Sequence, residues 1–335
     1  MQAAIYGFEG LELTPSERDF FRDSDPSGFI LFKRNCETRQ QLRKLTDSLR
    51  ELVGRADVPI LVDQEGGRVA RLKPPEWQAF PAAERFANLY RVAPSSAIEA
   101  ARSNARAIGL MLREVGINVD ALPLLDVRQE GASDVIGDRA LGSEPMQVAA
   151  LGRAVLDGLA SAGVVGIVKH MPGHGRALVD SHHELPIVTA NAEDLESDLE
   201  PFERLSYAPM GMMAHVVYAA WDEDHPASQS RKVIDRIIRQ RIGFDGFLMS
   251  DDSNMNALKG TQAERASACV AAGCDVALPS SGVLSDNIEI AKALGDISLE
   301  GAERLARAMA TTLIDCDGPD FSESIAARDA LLAVG

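Results

Sequence analysis

The sequence predicts an α/β protein, a (β/α)8 TIM barrel formed by a single domain. Three observations predict it. Eight short apolar runs alternate with longer amphipathic segments, no GxGxxG fingerprint opens any of them, and the polar clusters fall just past the apolar runs. A length of 335 residues suits one such barrel, and 46% hydrophobic with 25% charged residues leaves material for a large core. No Pro- or Ser-rich linker and no composition break divides the chain, so residues 1–335 are read as one barrel.

Strands are expected over residues 3–8, 28–32, 60–62, 117–120, 166–169, 211–215, 247–249 and 275–278. Between them, helical periodicity covers 38–54, 95–115, 145–162, 194–205, 233–241 and 261–272. Gly116, Gly163, Gly243 and Gly273 stand where those helices should stop in a left-handed residue. A last helix over 323–333 is expected on the outside. In a barrel of this kind the loops after the strands build the site, so the polar clusters at strand ends become the candidates.

Charge and cysteine usage narrow the functional classes. A net charge of −16 argues against nucleic acid or an anionic membrane as partner, because both require a positive footprint. The four cysteines, Cys36, Cys269, Cys274 and Cys316, form no CxxC pair and match no zinc spacing. Cys269 and Cys274 sit in an apolar stretch, as small buried thiols do. The opening residues lack a basic segment followed by a long apolar run, and no stretch reaches membrane-spanning length. The expected location is the cytoplasm.

Three clusters carry the chemistry. Asp251, after the apolar run Gly246-Phe247-Leu248-Met249, is placed as a carboxylate that can attack an anomeric carbon. The competing reading is that Asp251 or Asp252 caps the next helix. The second cluster is Lys169-His170-Met171-Pro172-Gly173-His174-Gly175, followed by Asp180-Ser181-His182. On an extended strand end the adjacent side chains of Lys169 and His170 diverge, so one can face the barrel mouth while the other supports the loop. Pro172, Gly173 and Gly175 mark that loop. Asp180 and His182, two residues apart, suit a proton-transfer dyad in which the carboxylate orients the imidazole. An Asx turn at Asp180 is the plainer alternative.

The third cluster, Asp63-Gln64-Glu65-Gly66-Gly67-Arg68-Val69-Ala70-Arg71, combines carboxylates, a glycine turn and two arginines. It suits either the hydroxyls of a sugar or a salt-bridge network below the barrel mouth. All six histidines fall between His170 and His225, which raises a metal-dependent barrel amidohydrolase as a rival. Against it, no HxH opens the early strands and no HExxH lies on a helix, so no metal and no cofactor is expected. Trp77 and Trp221 are the possible sugar platforms.

These motifs, in this order, resemble glycoside hydrolase family 3, in particular the short bacterial β-N-acetylhexosaminidases of peptidoglycan recycling. The resemblance is carried by KHMPGHG with DSH, DQEGGRV, Asn118 to Val127, Asp138-Arg139-Ala140 and Ser250-Asp251-Asp252. It implies Asp251 as nucleophile and Asp180 with His182 as an acid/base dyad on the loop after strand five. It also implies Asp63, Arg71, Arg139, Lys169 and His170 as the residues that bind the non-reducing N-acetylglucosamine. The implied reaction is retaining removal of that sugar from an N-acetylglucosamine-containing muropeptide, through a glycosyl-Asp intermediate. A β-glucosidase is the nearest alternative within the family, and transfer to phosphate instead of water is open. The chain departs from the usual pattern at Met171, commonly phenylalanine, and at Arg176-Ala177, commonly Asp-Thr. The second departure changes the charge beside the loop.

Overall fold

The computed structural model describes residues 1–181, 183–312 and 316–334. Eight strands close a barrel in which every neighbour is parallel. In chain order they are β1 (Gln2–Tyr6), β2 (Pro26–Leu31), β3 (Ile60–Val62), β4 (Val119–Asp120), β5 (Val165–Met171), β6 (Met210–Met213), β7 (Phe247–Asp252) and β8 (Val276–Leu278). Each strand pairs with its sequence neighbours, and β8 returns to β1. All eight expected strands are therefore present, with ends that move by a few residues. A small parallel pair, Ile187–Val188 with Val217–Tyr218, lies outside the barrel.

The helices follow the expected alternation. Arg39–Val53 is capped by the Thr38 side chain, Gln262–Ala272 by Thr261, and Ala192–Arg204 by Asn191. The expected 233–241 helix is a short α-turn, Arg231–Val233, that widens into a π-helix over Ile234–Arg241. Gly116, Gly163, Gly243 and Gly273 have φ of 80°, 71°, 75° and 121°, as the stop positions require. At Gly116 a side chain would also collide with Thr46, whose hydroxyl donates to the Val115 carbonyl. The last helix, Phe321–Leu332, packs on the outer helix Pro94–Glu114, where Arg328 donates to Asn104.

The core has two layers. Inside the barrel, Ile5, Ile30, Leu61, Ile167, Met210, Phe247 and Val276 form one apolar cluster, joined by Leu305, Ala308 and Met309 of helix Leu299–Ala310. That helix was not among those read from the sequence. A larger cluster fills the space between strands and outer helices. All four cysteines are free thiols, and Cys269 and Cys274 are buried as expected. Among the described residues, no helix is long and apolar enough to cross a membrane.

Candidate active site

The site is built at the C-terminal ends of the strands. Past β3, Gly66 and Gly67 adopt φ of 92° and 55° and turn the chain back on itself. The Gln64 amide oxygen accepts from the backbone of Arg71 and Leu72, each at 3.0 Å, and holds the turn closed. Asp63, Glu65 and Arg71 thereby share one wall. Lys169, at the end of β5, is only 2% exposed and lies 3.1 Å from Asp63 and 2.7 Å from Glu65. Arg71 reaches Asp63 at 2.8 Å, and Arg139 binds both oxygens of Glu65 at 2.7 and 2.8 Å.

Charge pairing outweighs burial throughout this lattice. Burial alone would raise the carboxyls of Asp63 and Glu65. Lys169, with Arg71 on one side and Arg139 on the other, holds both below their usual range. Burial would lower Lys169, and the two carboxylates raise it instead. The wall is thus a fixed set of charges with little freedom to reorient.

Across the cavity, β7 ends in two adjacent carboxyls with opposite settings. Burial pushes Asp251 up, but His170, His215 and the Asp252 N–H, which donates to it at 2.8 Å, leave it below its ordinary value. Asp252 is raised by burial to about 6, although it accepts from Ser280 and from the Asn254 N–H. Asp251 is therefore a carboxylate at neutral pH and faces His170, with Nε2 4.0 Å from Oδ2. The His170 Nδ1 bonds Asp126 at 2.8 Å. Neither Asp251 nor Asp252 caps the next helix, because Thr261 does so, and the Asp252 side chain closes a local turn onto Asn254.

Lys169 and His170 do not split between mouth and support, as simple alternation implied. The pairing of β5 with β6 shifts register between Val168 and Met171, and both side chains line the cavity. The loop that follows folds over the mouth. Its Gly175 and Ala177 carbonyls accept from Gln129 and Ser133 at 3.3 and 2.9 Å, and the Tyr218 hydroxyl donates to Gly173 at 2.6 Å. Ser181 meets His174 Nε2 at 3.2 Å, and its carbonyl accepts from Ala257 at 3.2 Å. Met171 is fully buried, an apolar filler as expected. Arg176 turns to helix Ala192–Arg204, pairing with Asp198 at 2.6 Å and donating to the Asp194 carbonyl at 2.8 Å. Its charge is absorbed there.

Asp63, Arg71, Arg139, Lys169, His170, Asp180 and Asp251 all line one cavity of about 230 Å³. His182 lies outside the described residues. Neither tryptophan lines this cavity: Trp77 is buried in the core and Trp221 packs on Tyr218, ring centres 5.2 Å apart. The apolar wall comes instead from Phe32, Ile30, Met212 and Leu278. Glu65, Arg68, His174, Ser181 and Asp252 also line it, although they were not chosen as site residues. Glu65 was legible as the second carboxylate of the glycine-turn motif. Among the described residues, no group of three His, Cys, Asp or Glu side chains is arranged to hold a metal ion.

Known proteins resemble this chain along most of its length. The glycosyl hydrolase family 3 N-terminal domain matches residues 11–310. A β-hexosaminidase of Bordetella avium is 38% identical over 274 residues, covering 80% of this chain and 77% of that protein. One from Thiobacillus denitrificans is 37% identical over 304 residues, covering 89% and 83%. The crystal structure of NagZ from Neisseria gonorrhoeae in complex with N-trifluoroacetyl-D-glucosamine superposes with a TM-score of 0.87 at 31% identity, covering 99% of this chain and 98% of that one. With a closed parallel barrel, a charged cavity at its C-terminal face and this similarity along most of its length, the chain belongs to glycosyl hydrolase family 3, among its short β-N-acetylhexosaminidases.

Proposed function

We propose that the protein is a retaining exo-β-N-acetylglucosaminidase that removes non-reducing N-acetylglucosamine from peptidoglycan-derived muropeptides in the cytoplasm. The observation that carries this reading is Asp251, a carboxylate kept ionised at the end of β7, in one cavity with the Asp63–Lys169–Glu65–Arg139 lattice and Asp180. In the first step Asp251 attacks C1 of the sugar and forms a glycosyl ester, while the imidazolium of His182 protonates the leaving oxygen. Asp180 raises the affinity of that imidazole for its proton. In the second step His182 takes a proton from water, which displaces Asp251 with a second inversion, so the anomeric configuration is retained.

Substrate binding falls to the charged wall. Asp63 accepts from ring hydroxyls, Arg71, Arg139 and Lys169 donate to hydroxyls and hold the neighbouring carboxylates in place, and His170 meets the sugar through Nε2. A cavity of about 230 Å³ suits a single sugar ring, which is what removal from a chain end requires. The NagZ structure from Neisseria gonorrhoeae, with an N-acylated glucosamine derivative bound, supports an N-acetylglucosamine residue as the sugar.

The decisive experiment measures Asp251→Ala on aryl N-acetylglucosaminide and on a muropeptide, with the product anomer followed by NMR. The wild-type enzyme should release the β-anomer first and prefer the N-acetylglucosaminide over the aryl glucoside, with or without chelator. The variant should lose turnover while keeping its fold. Near-wild-type activity in the variant, or inversion at the anomeric carbon, would remove Asp251 from the mechanism.

A further inference from the structure

We propose that Asp126 is a positioning residue for the reaction, joining the fixed and loop-borne halves of the site by gripping His170 with one oxygen and the root of the segment 172–181 with the other. The proposal rests on the reading of Asp251 as nucleophile and of the loop as the carrier of the acid. Asp126 itself does not line the cavity, and it is fully buried at 0% exposure.

Its two oxygens do different work. Oδ2 meets His170 Nδ1 at 2.8 Å, while Oδ1 accepts from the backbone N–H of His170 at 3.2 Å and of His174 at 2.6 Å. Burial pushes this carboxyl up, yet His170 and then His174 pull it down to about 2. An ionised Asp126 can only accept, so the proton between it and the ring stays on Nδ1. That leaves Nε2 as the ring nitrogen turned to Asp251, at 4.0 Å. The gap exceeds a direct hydrogen bond and leaves space for a bridging hydroxyl or water.

The second arm runs into the loop. The His174 backbone is fixed by Oδ1, and its ring holds Ser181 at 3.2 Å. Ser181 follows Asp180 directly, and both line the cavity. One buried carboxylate thus anchors the imidazole beside the nucleophile and the segment that presents Asp180. A purely structural anchor for the loop would need only the two backbone N–H bonds. The bond to Nδ1 adds control of the tautomer.

Asp126→Asn separates the two arms. The asparagine oxygen can still accept from both backbone amides, but its NH2 faces Nδ1 and forces the proton to Nε2. The expected result is a loss of about 10- to 100-fold in kcat/KM, similar for good and poor aryl leaving groups, with little change in Tm. The double variant Asp126→Asn/His170→Ala should be no slower than His170→Ala alone, because Asp126 acts through that ring. Losses that multiply, or an Asp126→Asn enzyme at the wild-type rate, would overturn the proposal. Nitrogen-15 NMR of wild-type His170 tests the same arm without any variant: the proton should sit on Nδ1, and a proton only on Nε2 would refute it. An active Asp251→Ala enzyme would instead sink the nucleophile reading, whatever the cycle and the NMR show.

Discussion

At the scale of single residues, the site is a set of buried charges that cannot be removed one at a time. Lys169 is the only cation touching both Asp63 and Glu65 among the described residues. Lys169→Met would leave two buried carboxylates short of compensation, a loss of about 3–5 kcal/mol. Thermal unfolding should show that loss, and kcat/KM should fall with it. His174 gives a pH signature of its own. Burial, then the neighbouring His170 ring, holds its imidazole down to about 4, below the ordinary 6.5. The folded state therefore binds a proton less readily than the unfolded chain. Its contribution is complete above pH 6.5 and is lost as the pH falls toward 4, roughly 3 kcal/mol over the window. Asp198 and Asp252, both raised by burial to about 6, act oppositely, destabilising the fold as pH rises toward neutrality. Comparison of wild type with His174→Gln isolates the histidine: the variant's Tm should decline less between pH 6.5 and 4. An identical slope would mean that His174 keeps an ordinary affinity in the fold.

At the scale of elements, the loop after β5 shows what local pattern can and cannot reveal. KHMPGHG and DSH marked a loop carrying chemistry, because prolines and glycines break periodicity and the polar residues between them have no core to enter. Where that loop rests was not legible. Its position depends on the amides of Gln129, Ser133 and Ala257 and on the Tyr218 hydroxyl, all far away in sequence. The same limit hid Asp126, whose three partners lie 44 and 48 residues further along the chain. Two of the helices absent from the sequence reading, Ala83–Val92 and Leu284–Ala293, follow Ala82 and Val283, which supply no capping side chain to signal a start. Gly175 tests the placement of the loop, because a Cβ there would run into the Val127 carbonyl. Gly175→Ala should displace the loop and slow poor leaving groups more than good ones, since only the former depend on the acid. Equal losses along a series of aryl N-acetylglucosaminides would detach the acid from this loop.

At the scale of the whole molecule, the barrel holds the charged site at one end of its axis and an apolar floor at the other. The eight strands were legible because each is a short apolar run, and the closed parallel order gathers their C-terminal ends on one face. Asp63, Lys169 and Asp251 come together from β3, β5 and β7 for that reason alone. The floor was not legible, since helix Leu299–Ala310 has an ordinary amphipathic pattern and nothing local says that it joins the barrel interior. Leu305, 5% exposed, packs with Ala308 and Met309 into the interior cluster that contains Val165, Met210 and Phe247. Leu305→Ala should cost about 2–5 kcal/mol, because the cavity it leaves can collapse only in part. The charged site sits at the opposite end of the strands, so KM and kcat for an aryl N-acetylglucosaminide should stay at wild-type values below the new melting temperature. Urea unfolding and steady-state kinetics on the same preparation check both halves. A shift in KM without a loss of stability would mean that the floor communicates with the sugar-binding wall through the strands, and the barrel would then be a transmitting element rather than a rigid frame.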